Sequence, residues 1–344
     1  MRYFGVLGLQ MRNGTTKFWM CGRLIVSAAV LSAIMAGSAV AQGFPTKTIT
    51  FVLPSAAGVG PDLWARVLAE KMSPRLGQPI IVENKPGVGG LLGAIHVARS
   101  EGDGHTLLVT TNAMASAPYV LSKAGIAGSF DPIRDLTPIS LLGVTGTVLI
   151  VNKTLGARSV PELVALAATR PLSCGSTSVG SSLHLACIMF KNAIGRDLTL
   201  VPYRSVAQLF TDIAAGRVDM MFMGYSTIAP HLKPDGPLAA VAIASARRSL
   251  FTPDLPTMPE LGYSDLVLGG WYGIYGPSTV PSAVVAQLNQ MIDSTLQMPA
   301  IRQLAMQNGL EIVGGPPGQM AQLFESDFAR YGRVARDAKI KAED

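Results

Sequence analysis

The sequence predicts an α/β fold in two lobes, and three observations carry that prediction. Residues 49–66, ITFVLPSAAGVGPDLWAR, run from an apolar β-prone segment through a small-residue turn into a helix start. The same logic returns over 172–194, where a short apolar strand, the turn GSTSVGSS and a helical stretch follow one another. The chain has 344 residues, 49% hydrophobic and 15% charged, enough for about two domains with sizeable cores. Strands alternating with helical stretches argue for parallel sheets with helices on their faces.

In the first lobe, residues 49–53 read as a buried strand that Pro54 stops. From Ser55 to Gly60 there is little side chain, so a ligand can approach the backbone closely. Pro61 and Asp62 suit a first helical turn, and Leu63, Val67 and Leu68 supply an apolar stripe. A helix start has spare N–H donors and a partial positive charge, which makes this turn a ready anion site. Asp62 is expected to stabilise that helix start or to meet Arg66. Residues 79–83 form a second strand, NKPGVGG at 84–90 a turn, 91–99 a helix and 106–110 a third strand. Thr111 and Asn112 lie just past that strand. They share a carboxyl edge with Ser55, Ala56, Ala57 and Gly58, where open α/β sheets bind ligands. Residues 124–132 read as a loop.

A long β-prone run follows at 144–151, then a helix over 160–169 that Ser159 caps and Pro161 starts. Further strands are expected at 172–174, 198–202, 218–223 and 239–244. Helices are expected at 183–194 and 207–215. GGWYGIY at 269–275 leads back to helices over 281–296 and 300–308. One lobe therefore comprises 42–145 and 269–344, and the other 146–268.

The first 41 residues differ from the rest. They hold Arg2, Arg12, Lys17 and Arg23 and no acid, followed by an apolar run over 24–36 and then Ala39-Val40-Ala41. That is the layout of a secretory signal cleaved after Ala41, and the run is shorter than the ~20 residues a membrane span needs. Translation starts at Met1, Met11 or Met20. Removal leaves 24 Lys and Arg against 22 Asp and Glu, so the mature chain is nearly neutral. It has no basic run with interleaved aromatics, which excludes nucleic acid as a partner. Cys174 and Cys187 remain in the mature chain. A disulfide is permitted in an exported protein. However, Leu183, Cys187, Phe190 and Ile194 fall at helical spacing and put Cys187 on a core face, so the reading is two buried free thiols.

Enzyme signatures are poor. Ser176-Thr177-Ser178-Val179-Gly180 lacks the first glycine of a nucleophile elbow. Gly58-Val59-Gly60 and Gly87-Val88-Gly89 each fail the dinucleotide fingerprint at its sixth position. His96, His105, His184 and His231 are scattered without metal spacing, so neither metal nor cofactor is expected. The two turns carry more. A carboxylate accepts several hydrogen bonds, and the N–H groups of Ala57 and Gly58 with the hydroxyls of Ser176, Ser178 and Ser181 can supply them. Ser181 also suits a plain helix cap. His184 reads as a packed first-turn residue, while Tyr203-Arg204 and Trp271-Tyr272 stand where a cleft can be lined.

These residues also carry a resemblance. FPTKTITFVLPSAAG at 44–58, LGQPIIVENKPGVGG at 76–90, DGHTLL at 103–108, GSSLHLA at 180–186, VPYR at 201–204 and the 245–263 stretch resemble the Bug family. That family comprises TctC-like periplasmic solute receptors of tripartite tricarboxylate transporters, and the likeness runs from Phe44 almost to the end. It implies a two-lobed periplasmic-binding-protein-like fold, each lobe a mainly parallel sheet flanked by helices, with the ligand trapped in a cleft between them. It implies a carboxylated ligand held by Ser55, Ala56, Ala57 and Gly58 on one side and Ser176, Ser178 and Ser181 on the other. Thr111, Asn112 and Tyr225 complete the candidate set. The chain departs from the family's usual residues at Ser55, Val59, Leu183, Ser205 and around Met223-Gly224-Tyr225. These positions bear on ligand identity rather than fold.

The expected function is an extracytoplasmic receptor for a small organic acid, dicarboxylate, aromatic acid or amino acid. It would work as a monomer that delivers ligand to membrane permease subunits, without cofactor or catalysis. The rival readings are a secreted hydrolase or transferase using Ser176 or Ser178, and a periplasmic sensor subunit that presents ligand to a signalling partner.

Overall fold

In the computed structural model the described residues are 43–337, apart from 56, 59, 121–129, 178, 180 and 204. The expected leader and its cleavage point, Ala56, Ser178, Arg204 and most of the 124–132 loop lie outside them. Two mixed sheets, flanked by helices, belong to one unit that begins at Lys47.

The first sheet has six strands in the order β11-β4-β10-β3-β1-β2. The strands β1 (Ile49–Leu53), β2 (Ile80–Asn84) and β3 (Thr106–Thr111) run parallel, with β1 between the other two. Helices α1 (Gly60–Leu76) and α2 (Leu91–Ala98) connect them, as the alternation required. In α1, Trp64, Ala65, Leu68, Ala69 and Met72 are buried at helical spacing. Helix α3 (Ala113–Val120) follows β3, and a single helical turn, α4 (Pro132–Asp135), precedes β4 (Leu136–Thr145).

Gly146 separates β4 from β5 (Thr147–Asn152), so the run expected as one strand over 144–151 divides between the two sheets. The second sheet has five strands in the order β7-β6-β8-β5-β9. Helix α5 (Val160–Ala167) begins at Ser159, whose hydroxyl accepts from the Glu162 N–H. Strand β6 (Leu172–Thr177), helix α6 (Ser182–Ile194), β7 (Leu198–Tyr203), α7 (Val206–Ala214) and β8 (Met220–Gly224) repeat the parallel β-α pattern. A short α8 (Tyr225–Ile228) and β9 (Leu238–Ile243) complete this lobe.

The chain returns through β10 (Gly270–Pro277), which lies antiparallel between β3 and β4. Helices α9 (Ser282–Leu296) and α10 (Pro299–Gln307), strand β11 (Glu311–Ile312) and helix α11 (Pro317–Asp337) close the first lobe. Both sheets are mixed rather than mainly parallel. The crossing strands β10 and β5 each enter their sheet from the other lobe, and so run against their neighbours. Helix α11 is absent from the sequence reading. Its core face is Met320, Phe324, Asp327, Tyr331 and Ala335, and it packs so closely on α3 that a Cβ at Gly332 would lie 2.5 Å from the Tyr119 ring.

Candidate ligand-binding site

The turn after β1 is built around Asp62. This side chain is buried at the start of α1 and accepts from the Gly58 N–H at 3.0 Å, the Arg66 Nε at 2.9 Å and the Asn84 Nδ2 at 3.0 Å. Asn84 ends β2 and also donates to the Ser55 carbonyl at 3.1 Å, which ties the turn to the neighbouring strand. The Arg66 hydrogen bond, with help from Gly58 and Asn84, holds the Asp62 carboxyl down to about 2 against the cost of its burial. So the expected Asp62–Arg66 pair forms. One of the two N–H donors expected to meet a ligand, that of Gly58, serves the chain's own carboxylate. Ala57 and Gly58 are exposed at the tip.

Ser55 and Thr111 meet. Both line a cavity of about 80 Å³ at the carboxyl edge of the parallel strands, together with Pro61, Gly89, Gly90 and Met114. The Ser55 Oγ is buried there and has no hydrogen-bond partner among the described residues. The Thr111 Oγ1 accepts from the Ala113 N–H at 3.2 Å and so helps start α3. Asn112 donates from Nδ2 to the Tyr331 hydroxyl at 3.2 Å, so α11 fixes its amide. Tyr331 is fully buried, and burial pushes its hydroxyl well above the usual range. Gly89, Gly90 and Tyr331 were missed in the sequence. The glycines were legible in principle, because β2 ends at the same sheet edge as β1.

In the second lobe Ser176 sits near the carboxyl end of β6, fully buried, and its Oγ has no hydrogen-bond partner among the described residues. Ser181 is the N-cap of α6 and accepts from the His184 N–H at 3.1 Å. His184 is buried in that first turn. Cys174 and Cys187 are joined in a disulfide with Cα atoms 6.0 Å apart, which overturns the reading of two free thiols. Helical spacing put Cys187 correctly on the core face. What it did not show is that this face lies on β6, opposite Cys174, so the two buried sulfurs meet. The bond ties strand to helix on either side of the serine turn.

Tyr225 turns away from these residues. It stacks on Phe251, with ring centroids 5.9 Å apart, and lines a separate groove with Leu232, Leu238 and Leu255. Its neighbour Ser226 hydrogen-bonds Tyr272, whose hydroxyl also blocks any side chain at Gly60. Tyr272 thus connects the α1 turn, the returning strand and α8. Trp271 is buried and donates to the Asp327 Oδ2 at 2.9 Å. Tyr203 donates to the Asp212 Oδ2 at 2.8 Å, and burial together with that carboxylate pushes its hydroxyl up to about 12.

The model of the tripartite tricarboxylate transporter family receptor, TctC, matches residues 64–340. The chain belongs to this family. Among relatives, BugT of Bordetella pertussis is 29% identical over 96% of this chain and 100% of its own. Among solved structures, MatC of Rhodopseudomonas palustris with bound malate superposes with a TM-score of 0.72, at 29% identity over 85% of this chain and 100% of that one. Rpa4515 of R. palustris, solved with adipate, superposes with a TM-score of 0.75, at 29% identity over 87% of this chain and 100% of that one. The family resemblance and the two-lobed α/β fold read from the sequence are both borne out. TctC proteins are solute-binding receptors, so the chain is a receptor and not an enzyme, and the Ser176/Ser178 hydrolase reading is set aside.

Proposed function

We propose that the protein is a periplasmic receptor that captures a small carboxylated metabolite between its lobes and delivers it to the permease subunits of a tripartite tricarboxylate-type transporter. The observation that supports the carboxylate most directly is a pair of buried serine hydroxyls, Ser55 and Ser176. Each stands at the carboxyl end of a parallel strand, one per lobe, without a partner among the described residues. The related receptors solved with malate and adipate agree with it. Because Asp62 engages Gly58, the ligand's charge is met by serine hydroxyls and the remaining turn amides rather than by the whole helix start.

The lobes, 42–145 with 269–344 and 146–268, rotate about the crossings at Gly146 and ahead of Gly270 and close on the ligand. The receptor is exported by its leader, cleaved after Ala41, and acts as a monomer.

Organic acids and their neutral amides, compared by thermal shift and then calorimetry, test this reading. The acid should bind with one molecule per chain and return unchanged, and Ser176→Ala should weaken it about 10- to 100-fold, the worth of one hydrogen bond to a charged group. An amide that binds as tightly as its acid would refute the carboxylate seat. Scattering should show compaction with the bound acid, and the periplasmic chain should begin at Gln42.

A further inference from the structure

A cavity of about 490 Å³ lies on the far side of the crossing strands from the candidate site. Strand order places it there. The candidate turns follow β1 and β3 in one sheet and β6 in the other. Past these stand β10 and then β4 in the first sheet, and β8 and then β5 in the second, with β11 and β9 at the far edges. The cavity is walled by β4 and α11 from the first lobe and by the segment after β9 from the second, with Thr145, Gly146 and Gly269 of the crossings between. Its size is that of a small-molecule site.

Its walls are amphipathic in an ordered way. Leu141, Val144, Val313 and Leu323 give an apolar inner surface, while Ser245, Ser249, Gln319 and Gln322 supply neutral polar groups. Arg247 is exposed at the rim and forms an ion pair with Glu311 across the two lobes. A guanidinium has five N–H donors, so Arg247 can serve a second acceptor. Arg248 is more fully engaged, by Glu260 and the Pro253 carbonyl.

We propose that this cavity is a second binding site, separate from the candidate cleft, for an amphipathic organic anion. Its apolar body lies against Val144, Val313 and Leu323, and its carboxylate or sulfonate meets Arg247. Arginine at an apolar cavity's rim selects the anion, and the apolar walls exclude a fully polar acid of the kind proposed for the cleft.

The purified protein titrated with 8-anilinonaphthalene-1-sulfonate, an aryl sulfonate that fluoresces in apolar surroundings, tests the assignment. Saturable binding of one probe per chain is expected. Arg247→Gln should weaken it about 10- to 100-fold. Gln322→Trp, at an exposed wall position, should fill the cavity and weaken it at least about tenfold. Glu311→Gln removes the competing carboxylate and should tighten it severalfold. Melting curves establish that each variant is folded. No saturable binding, or binding that both Arg247→Gln and Gln322→Trp leave within twofold, would overturn the proposal. Binding lost in Thr111→Trp but kept in those two would place the probe in the cleft, and would also overturn it.

Discussion

Replacing Asp62 by Asn probes the centre of the first turn. The amide keeps an oxygen for the Gly58 N–H but loses the charge that Arg66 and Asn84 hold. The carboxyl falls from 3.8 to about 2 on folding. A depressed acid stabilises the fold above its unfolded value and loses that contribution as pH falls through its folded value. Integrated, the contribution is about 2.4 kcal/mol at pH 7, about 1.3 at pH 3 and about 0.4 at pH 2. Water around the half-exposed Arg66 makes these ceilings. Urea unfolding of wild type and Asp62→Asn at the three pH values reads the difference directly, since other carboxyls titrate alike in both. The variant should be roughly 1–2.4 kcal/mol less stable at pH 7, and the gap should close toward pH 2. A gap that stays constant with pH would show that Asp62 acts through packing or hydrogen-bond count and not through its charge.

Cys174→Ala with Cys187→Ala should cost about 2–4 kcal/mol, read by chemical denaturation. In the native protein both sulfurs should resist reductant and alkylation until the chain unfolds, as intact mass would show, because both cysteines are fully buried. Gly332→Ala should destabilise by roughly 1–3 kcal/mol through collision with Tyr119, and Tyr119→Leu should restore part of the melting temperature. Burial raises the Asp327 carboxyl despite Trp271 and Arg330, so the folded chain holds this proton above the ordinary carboxylate range and stability declines as pH climbs through that window. Asp327→Asn should lack that decline, a difference visible in melting temperatures between pH 4 and pH 7.

The parallel half of each sheet was legible because each strand is a short apolar run closed by a turn residue. Ile49–Leu53 is the clearest, bounded by Pro54. Ser159 and Ser181 were legible as caps because capping is local chemistry. What failed to show was non-local. Strand β4 contains Pro138 and a glycine, and its pairing with β10 and β11 makes it a strand. Helix α11 hides its stripe because Asp327 occupies a core position, where Trp271, far back in the sequence, donates to it and Arg330 on the same helix pairs with it. In the site, Ser55 and Thr111 were placed together by sheet-edge logic. Tyr225 was not, since its ring follows Phe251 rather than the strand end. The hold of Tyr331 on Asn112 joins residues more than two hundred positions apart, which no local pattern carries.

The disulfide has a practical consequence for labelling chemistry. The chain holds 3 cysteines, Cys21 in the expected leader and the joined pair Cys174–Cys187. With the proposed leader removed, the chain would offer maleimide reagents no free thiol, and a cysteine introduced at one exposed position would become a unique handle. Gln322, on α11 behind the crossing strands, suits such a dye. An environment-sensitive fluorophore there would report the proposed rotation of the lobes from the side opposite the candidate site, turning the receptor into an optical sensor without touching the candidate ligand-binding residues.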